Sequence, residues 1–144
     1  MLIVNPKNTS IPDLHQYLLG AVAPRPICFA STIDENGNPN LAPYSFFNCF
    51  SSNPPTLIFS SNRTVANNTT KDTLANAAIN KEVVINVVNY NIVRQMALTS
   101  VSYPSTVNEF EKAGLTPIPS TLVKPYRLKE SPVQMECRVK EIIA

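Results

Sequence analysis

Ile27-Cys28-Phe29-Ala30-Ser31-Thr32-Ile33, then Asp34-Glu35-Asn36-Gly37-Asn38, then Pro39-Asn40-Leu41-Ala42-Pro43-Tyr44 is the stretch that decides how this chain folds. The first seven residues have the length and β-branched content of a buried strand. The next five are a strong turn signal, and the last six read as the returning strand, so the segment predicts a hairpin. Its second arm runs into Ser45-Phe46-Phe47-Asn48-Cys49-Phe50-Ser51-Ser52, a polar and aromatic mixture ended by Pro54-Pro55. A further strand is expected over 56–61.

Working outward, residues 71–80 favour helix, with Leu74, Ala75, Ala78 and Ile79 on a rough 3.6-residue period. Residues 83–88 form a short run of mostly β-branched residues and read as a strand. A second helix is expected over 91–100, capped at Asn91 and burying Val93, Met96 and Ala97. A third is marked by Thr106 and Glu109 at capping-box spacing, by apolar Phe110 and Ala113, and by Gly114 where a C-terminal cap belongs. Residues 116–132 are proline-rich and predict an extended surface linker, at a subunit edge if the chain assembles. Val133, Met135, Cys137 and Val139 then alternate with Gln134, Glu136, Arg138 and Lys140, the period of a strand with one buried and one wet face, and the strand is expected over 133–143. Strands at 27–33, 39–44, 56–61, 83–88 and 133–143 with helices inserted among them predict a mainly β, α+β fold. It should be a small, mostly antiparallel barrel, since the helices are too irregularly placed for βαβ units.

With 144 residues, 44% of them hydrophobic and 15% charged, the chain is expected to be one domain with a substantial core. Three glycines against 13 prolines leave no glycine-rich phosphate cradle, and neither a GxGxxG nor a P-loop pattern is present. A net charge of +2 without a basic run argues against nucleic acid. The first twenty residues lack the basic start and apolar stretch of a signal peptide, and no segment approaches the roughly 18 apolar residues that span a bilayer, so no membrane is expected and the expected location is cytoplasmic. Cys28, Cys49 and Cys137 are far apart and without zinc spacing, consistent with reduced thiols.

Conventional catalytic sets are scarce. His15 is the only histidine and has no GxSxG elbow to accompany it, so a helix-surface position is preferred. No carboxylate pair sits in an apolar cleft; Glu130, Glu136 and Glu141 are expected on the wet side of a linker and strand. No metal ligand set is recognisable. One stretch suggests anion binding. Lys71-Asp72-Thr73 stands where a helix begins after a β-rich segment, and free N–H groups, the positive end of the dipole, an ammonium and a hydroxyl together favour a phosphate. The plainer alternative is a helix start capped by Asp72 or Thr73, with Lys71 solvated. The remaining wealth is neutral: Tyr44, Ser45, Phe46, Phe47, Asn48, Ser51 and Ser52, then Ser60, Ser61, Asn62 and Arg63. Such side chains can sandwich a flat heteroaromatic ring and hydrogen-bond its edges, which is all that a cofactor carrying its own chemistry needs. Strand residues alternating into a core would look the same.

Pro24-Arg25-Pro26-Ile27, Ser31-Thr32-Ile33-Asp34 with Gly37, Asn40 through Phe47, Asn53-Pro54-Pro55, Lys71-Asp72-Thr73 with Asn76, Val84 through Val88, Glu109 through Leu115, and Glu130-Ser131-Pro132 with Glu136-Cys137 occur in order along nearly the whole chain. In this set the chain resembles the flavin reductase-like, FMN-binding split-barrel family, particularly its flavoredoxin-related branch. The resemblance implies a split β-barrel homodimer that binds FMN non-covalently and passes electrons from NADH, NADPH or a protein donor to a flavin or a redox partner protein. It implies chemistry resident in the flavin, with no catalytic side chain. By position, Tyr44, Ser45, Phe46, Phe47, Asn48 and Ser51 would line the isoalloxazine and ribityl chain, Ser60, Ser61 and Asn62 the ring or ribityl edge, and Lys71, Asp72 and Thr73 the phosphate. Family members usually continue for several tens of residues past the last strand here, so the domain expected over 1–144 lacks the family's C-terminal portion, and a complete nicotinamide site is not implied. Three functions follow for comparison: an FMN-dependent NAD(P)H:flavin oxidoreductase, a non-catalytic FMN carrier, and a structural or partner-binding barrel.

Overall fold

The computed structural model describes residues 3–61 and 70–143. Along the chain lie α1 (Ile11–Ala21), β1 (Cys28–Ile33), β2 (Pro39–Tyr44), β3 (Phe47–Ser52), β4 (Pro55–Phe59), α2 (Asp72–Asn80) and β5 (Glu82–Val87). A 3-10 turn (Tyr90–Ile92) then leads into α3 (Val93–Leu98), followed by α4 (Glu109–Ala113), β6 (Pro117–Ile118), β7 (Arg127–Leu128) and β8 (Gln134–Arg138). The main sheet has the order β2-β1-β5-β8 and is antiparallel at every pairing; β3 and β4 form a separate hairpin, and β6 and β7 a short ribbon.

The hairpin read from 27–44 is present, in register from Cys28 opposite Tyr44 to Ile33 opposite Pro39. Its turn is held by Asp34, whose carboxylate accepts from the N–H groups of Asn36 and Asn38, each at 2.8 Å, and from Asn38 Nδ2 at 2.7 Å. Gly37 supplies the left-handed φ of 85° that this closure requires. All six residues of β1 are buried, because the sheet is covered on both sides. Cys28, Ala30, Tyr44, Val83 and Ile85 pack with Ala77 of α2 on one face. Phe29 and Leu41 pack with Ile92, Phe110, Ala113, Leu115 and Leu128 on the other. A strand between two cores loses the alternation of a half-wet strand and reads as a continuous run. Asn86, fully buried, donates to the Phe29 carbonyl at 3.0 Å and accepts from the Leu128 N–H at 2.9 Å, tying β5 to β7.

Several expectations are corrected. Residues 47–52 form β3, with a register irregularity between Cys49 and Ser51, where the sequence showed only a polar and aromatic mixture. The last strand is shorter than 133–143, ending at Arg138. The second helix is preceded by Asn89, whose Oδ1 accepts from the Asn91 N–H at 3.1 Å. Ile92 is the buried residue there, Val93 and Ala97 stay exposed, and Met96 packs at the core's edge. The cap of α4 is Asn108, whose Oδ1 accepts from the Phe110 N–H at 3.1 Å, and not Thr106. The helix therefore starts too late for Glu109 to close a capping box, and its carboxylate instead accepts the Leu41 N–H on the edge strand β2 at 3.2 Å. Gly114 does close this helix, with φ 64°.

The proline-rich 116–132 segment is not simply a wet linker. Prolines remove donors and sheet partners, and carboxylates satisfy several of the amides that remain. Glu130 accepts from the Thr116 N–H, Glu82 from that of Lys124, and Glu136 from those of Thr121 and Leu122. Glu136 is thereby half-buried, with Arg127 Nε at 3.5 Å, and not on an open face. Helix α1 starts at Ser10, which accepts from the Asp13 N–H at 3.2 Å, and has no buried residue. Its C-terminal carbonyls are gathered by the Arg25 guanidinium, which donates to Leu19 at 2.6 Å and to Val22.

Candidate functional site

Helix α2 brings a lysine to a helix start. Its N-cap position is Lys71 in an extended conformation, and no side chain caps the turn. The plainer alternative, capping by Asp72 or Thr73, is absent. The Leu74 N–H donates to the Lys71 carbonyl at 3.0 Å, those of Asp72 and Thr73 have no carbonyl partner within the helix, and the positive end of the dipole adds to the Lys71 ammonium. That ammonium lies 5.2 Å from the centre of the Tyr44 ring, a cation–π contact. The ring leans on Phe59 at 5.4 Å, tilted by 37°, so the end of β2, the end of β4 and the start of α2 converge.

Thr73 has a structural role beside the one expected of it. It is 1% exposed, and its hydroxyl oxygen accepts from Asn40 Nδ2 at 2.8 Å. The same amide donates to Thr32 at 3.1 Å, and Asn76 Nδ2 donates to Thr32 at 3.3 Å. Thr73, Asn40, Thr32 and Asn76 thus form a buried polar seam that fixes where α2 sits on β1 and β2. The Thr73 side chain serves this seam, while its backbone N–H belongs to the open first turn.

Two hydroxyls next to this seam are buried without a hydrogen-bond partner, those of Tyr44 and Ser61. Thr73 and Ser61 stand close enough to the phenol to act on its ionisation, yet neither meets hydrogen-bond geometry. Burial pushes the Tyr44 phenol up, so it stays protonated and a donor at neutral pH. Native proteins rarely leave such donors unsatisfied. A bound phosphate ester would supply acceptor oxygens beside two orphaned hydroxyls, an ammonium and a helix start. The residues present therefore fit the phosphate end of FMN.

The other residues singled out from the sequence lie in the bend between β2 and β3, on β3, and just past β4. Ser45 accepts from Arg25 Nε at 3.3 Å, and Phe46 meets His15 edge-on at 5.8 Å. His15 is half-buried on α1, close to its expected helix-surface position. Phe47 packs against the Tyr44 side of the core. Asn48 and Ser51 turn inward on their own backbone, accepting from the N–H groups of Cys49 and Asn53. Ser60 donates its N–H to the Phe46 carbonyl at 2.8 Å. Asn62 lies outside the described residues. The structure thus brings Tyr44, Ser61, Lys71 and Thr73 together, while Ser45, Phe46, Asn48 and Ser51 make their own separate contacts. A cleft of about 70 Å3 lined by Asn40, Asp72, Asn76 and Glu109 adjoins the same helix start; it is too small for a tricyclic ring and too acidic for an anion.

Asn40 and Arg25 were not singled out individually. The period of β2 held a signal for Asn40, since it shares a face with Ala42 and Tyr44. Arg25 had none, because its partners are carbonyls that only the folded α1 presents. No thiol is poised to react at the core: burial pushes Cys28 far up and Cys137 up. Among the described residues no group of His, Cys, Asp and Glu could hold a metal ion, and no helix is long and apolar enough to cross a membrane.

Comparison with known proteins bears on the same fold. An uncharacterized protein from Aquifex aeolicus is 45% identical over 138 residues, 95% of this chain and 69% of its own length. The crystal structure of nitrilotriacetate monooxygenase component B from Bacillus cereus superposes with a TM-score of 0.91 at 33% identity, over 98% of this chain and 69% of that one. The 2-nitrobenzoate 2-nitroreductase NbaA of Pseudomonas fluorescens gives a TM-score of 0.86 at 27% identity, over 99% of this chain and 67% of its own. This chain therefore spans about two thirds of the length of the proteins it matches. The family model described as "Flavin reductase like domain" matches residues 20–144. Split-barrel architecture, ordered motifs and sequence identity agree, and the chain belongs to the flavin reductase-like family of FMN-binding split-barrel proteins.

Proposed function

We propose that this chain holds FMN and forms the flavin site of an oxidoreductase that takes electrons from NADH, NADPH or a protein donor and delivers them to a flavin or a protein acceptor. The observation that carries the reading is the meeting of Lys71, the two orphaned hydroxyls of Tyr44 and Ser61, and the uncapped start of α2. In this reading Lys71 and the first-turn N–H groups hold the phosphate, and the segment from Ser45 to Ser51 with Ser60 borders the ring and ribityl chain. Flavin, when bound, supplies the hydride and electron transfer. The chain's residues bind, orient and exclude water, and none of them needs to exchange a proton with substrate.

The names of two matched proteins support a redox role of this kind, one being a monooxygenase component and the other a nitroreductase. A homodimer belongs to the proposal: the β3–β4 hairpin exposes Phe50 at 64% and Ile58 at 49%, apolar surface suited to a second copy. The proposed location is cytoplasmic. The test is titration with FMN, followed by flavin absorbance, together with steady-state oxidation of NADH and NADPH. Saturable FMN binding with turnover supports the oxidoreductase; binding with no oxidation of either nucleotide identifies a carrier; no binding refutes both.

A further inference from the structure

We infer that Tyr44 is a positioning residue for the phosphate end of the site, its ring fixing the Lys71 ammonium and its hydroxyl donating to the anion, and that it does not line the isoalloxazine. This inference rests on the flavin reading above and deepens it.

Tyr44 closes β2 opposite Cys28, so its backbone is held by the central sheet. Its side chain is only 6% exposed and is braced by Phe59. It is a rigid platform. Lys71, by contrast, is a long side chain at a helix start, and a free lysine there would sample many rotamers. It has no ion pair among the described residues, and its Nζ lies over the Tyr44 ring, 5.2 Å from the centroid. Cation–π fixation differs from a salt bridge in a way that matters here. It orients the ammonium without neutralising it, leaving the charge and its N–H donors for a ligand. The phenol hydroxyl at the rim of the same ring is buried and unpartnered, as is that of Ser61. Two unused donors beside one fixed cation match the several acceptor oxygens of a phosphate monoester. A neutral ring edge would not need the cation.

The experiment compares FMN with riboflavin, which shares the ring and ribityl chain but lacks the phosphate. Dissociation constants are measured for the wild type, Tyr44→Phe, Tyr44→Leu, Lys71→Ala and the Tyr44→Leu/Lys71→Ala double variant, each checked for folding by circular dichroism. The wild type is expected to favour FMN by about tenfold or more, as a charge-assisted contact implies. Tyr44→Phe, which keeps a ring and should fold, lowers that preference by roughly three- to tenfold through the lost hydroxyl. Tyr44→Leu lowers it further, and Lys71→Ala removes most of it. The double variant falls below Lys71→Ala only by about the Tyr44→Phe factor, the direct hydroxyl contribution, and not by the larger Tyr44→Leu factor, because the ring acts through Lys71. Riboflavin affinity stays within about twofold throughout. The inference is overturned if Tyr44 substitutions weaken FMN and riboflavin equally, which would put the ring against isoalloxazine, or if the full Tyr44→Leu effect multiplies with that of Lys71→Ala. Equal wild-type affinity for the two flavins overturns it while leaving flavin binding intact. Failure of the wild type to bind either flavin sinks the flavin reading and this inference with it.

Discussion

Replacing Thr73 by valine separates a structural hydroxyl from a ligand-binding one. Valine keeps the side-chain outline but removes the oxygen that accepts from Asn40 Nδ2 at 2.8 Å. Thr and Val have similar helix propensities, so the hydroxyl itself dominates the change. The lost hydrogen bond is worth about 1 kcal/mol net, and leaving part of the Asn40 amide unpaired in a buried seam adds about another 1 kcal/mol. The amide's second contact, to Thr32 at 3.1 Å, limits that penalty. The expected loss is therefore roughly 1–2 kcal/mol, against a total stability on the order of 7–20 kcal/mol for a chain of this length. Urea unfolding without flavin should show the midpoint shifted and the slope unchanged. The preference for FMN over riboflavin should change by less than about threefold, because the backbone N–H remains. Unchanged stability together with a loss of FMN preference of about tenfold or more would refute this account and make the hydroxyl a phosphate ligand.

Other consequences are open to measurement. Asn86→Leu should cost about 2–5 kcal/mol in urea unfolding, since it strands the buried Leu128 N–H and Phe29 carbonyl together; a loss under about 1 kcal/mol would show that β7 is not tied down there. The backbone N–H groups of Thr121 and Leu122 hold the Glu136 carboxyl below its ordinary value near 4.5. Its contribution is complete above that value and is lost as pH falls through the depressed folded value, so the melting temperature of Glu136→Gln should be less steep than wild type on the acid limb. Glu109 works in the opposite sense: burial raises its pKa, so folding disfavours its ionised form at neutral pH and the cost is relieved on acidification. Glu109→Gln keeps an acceptor for the Leu41 N–H and should equal or exceed wild-type stability at pH 7; clear destabilisation there would show that the charge itself is needed. Gly114→Ala, placing a side chain at φ 64°, should cost about 1–2 kcal/mol in thermal unfolding.

Much of the barrel was legible before any coordinates. Residues 39–44 stand as the returning arm of the central hairpin because the turn signal and both apolar arms are local, and the start of α2 fell within one residue for the same reason. The strand at 47–52 was obscured. Its bulge places Phe50 outside the alternation, and a two-stranded hairpin with an exposed face has no periodic imprint strong enough to read. Helix caps slipped by two residues where two polar candidates competed, as Asn108 did with Thr106.

The site divides in the same way. Composition and spacing along the chain determined that a cation and a helix start coincide at Lys71, because both are properties of neighbouring residues. Only the tertiary structure decided that the Thr73 hydroxyl accepts from Asn40, that the Tyr44 ring stands under Lys71, and that the Tyr44 and Ser61 hydroxyls are left without partners. Hydrogen-bond satisfaction and ring contacts depend on groups dozens of residues apart meeting at a few ångströms, and no local pattern encodes that distance.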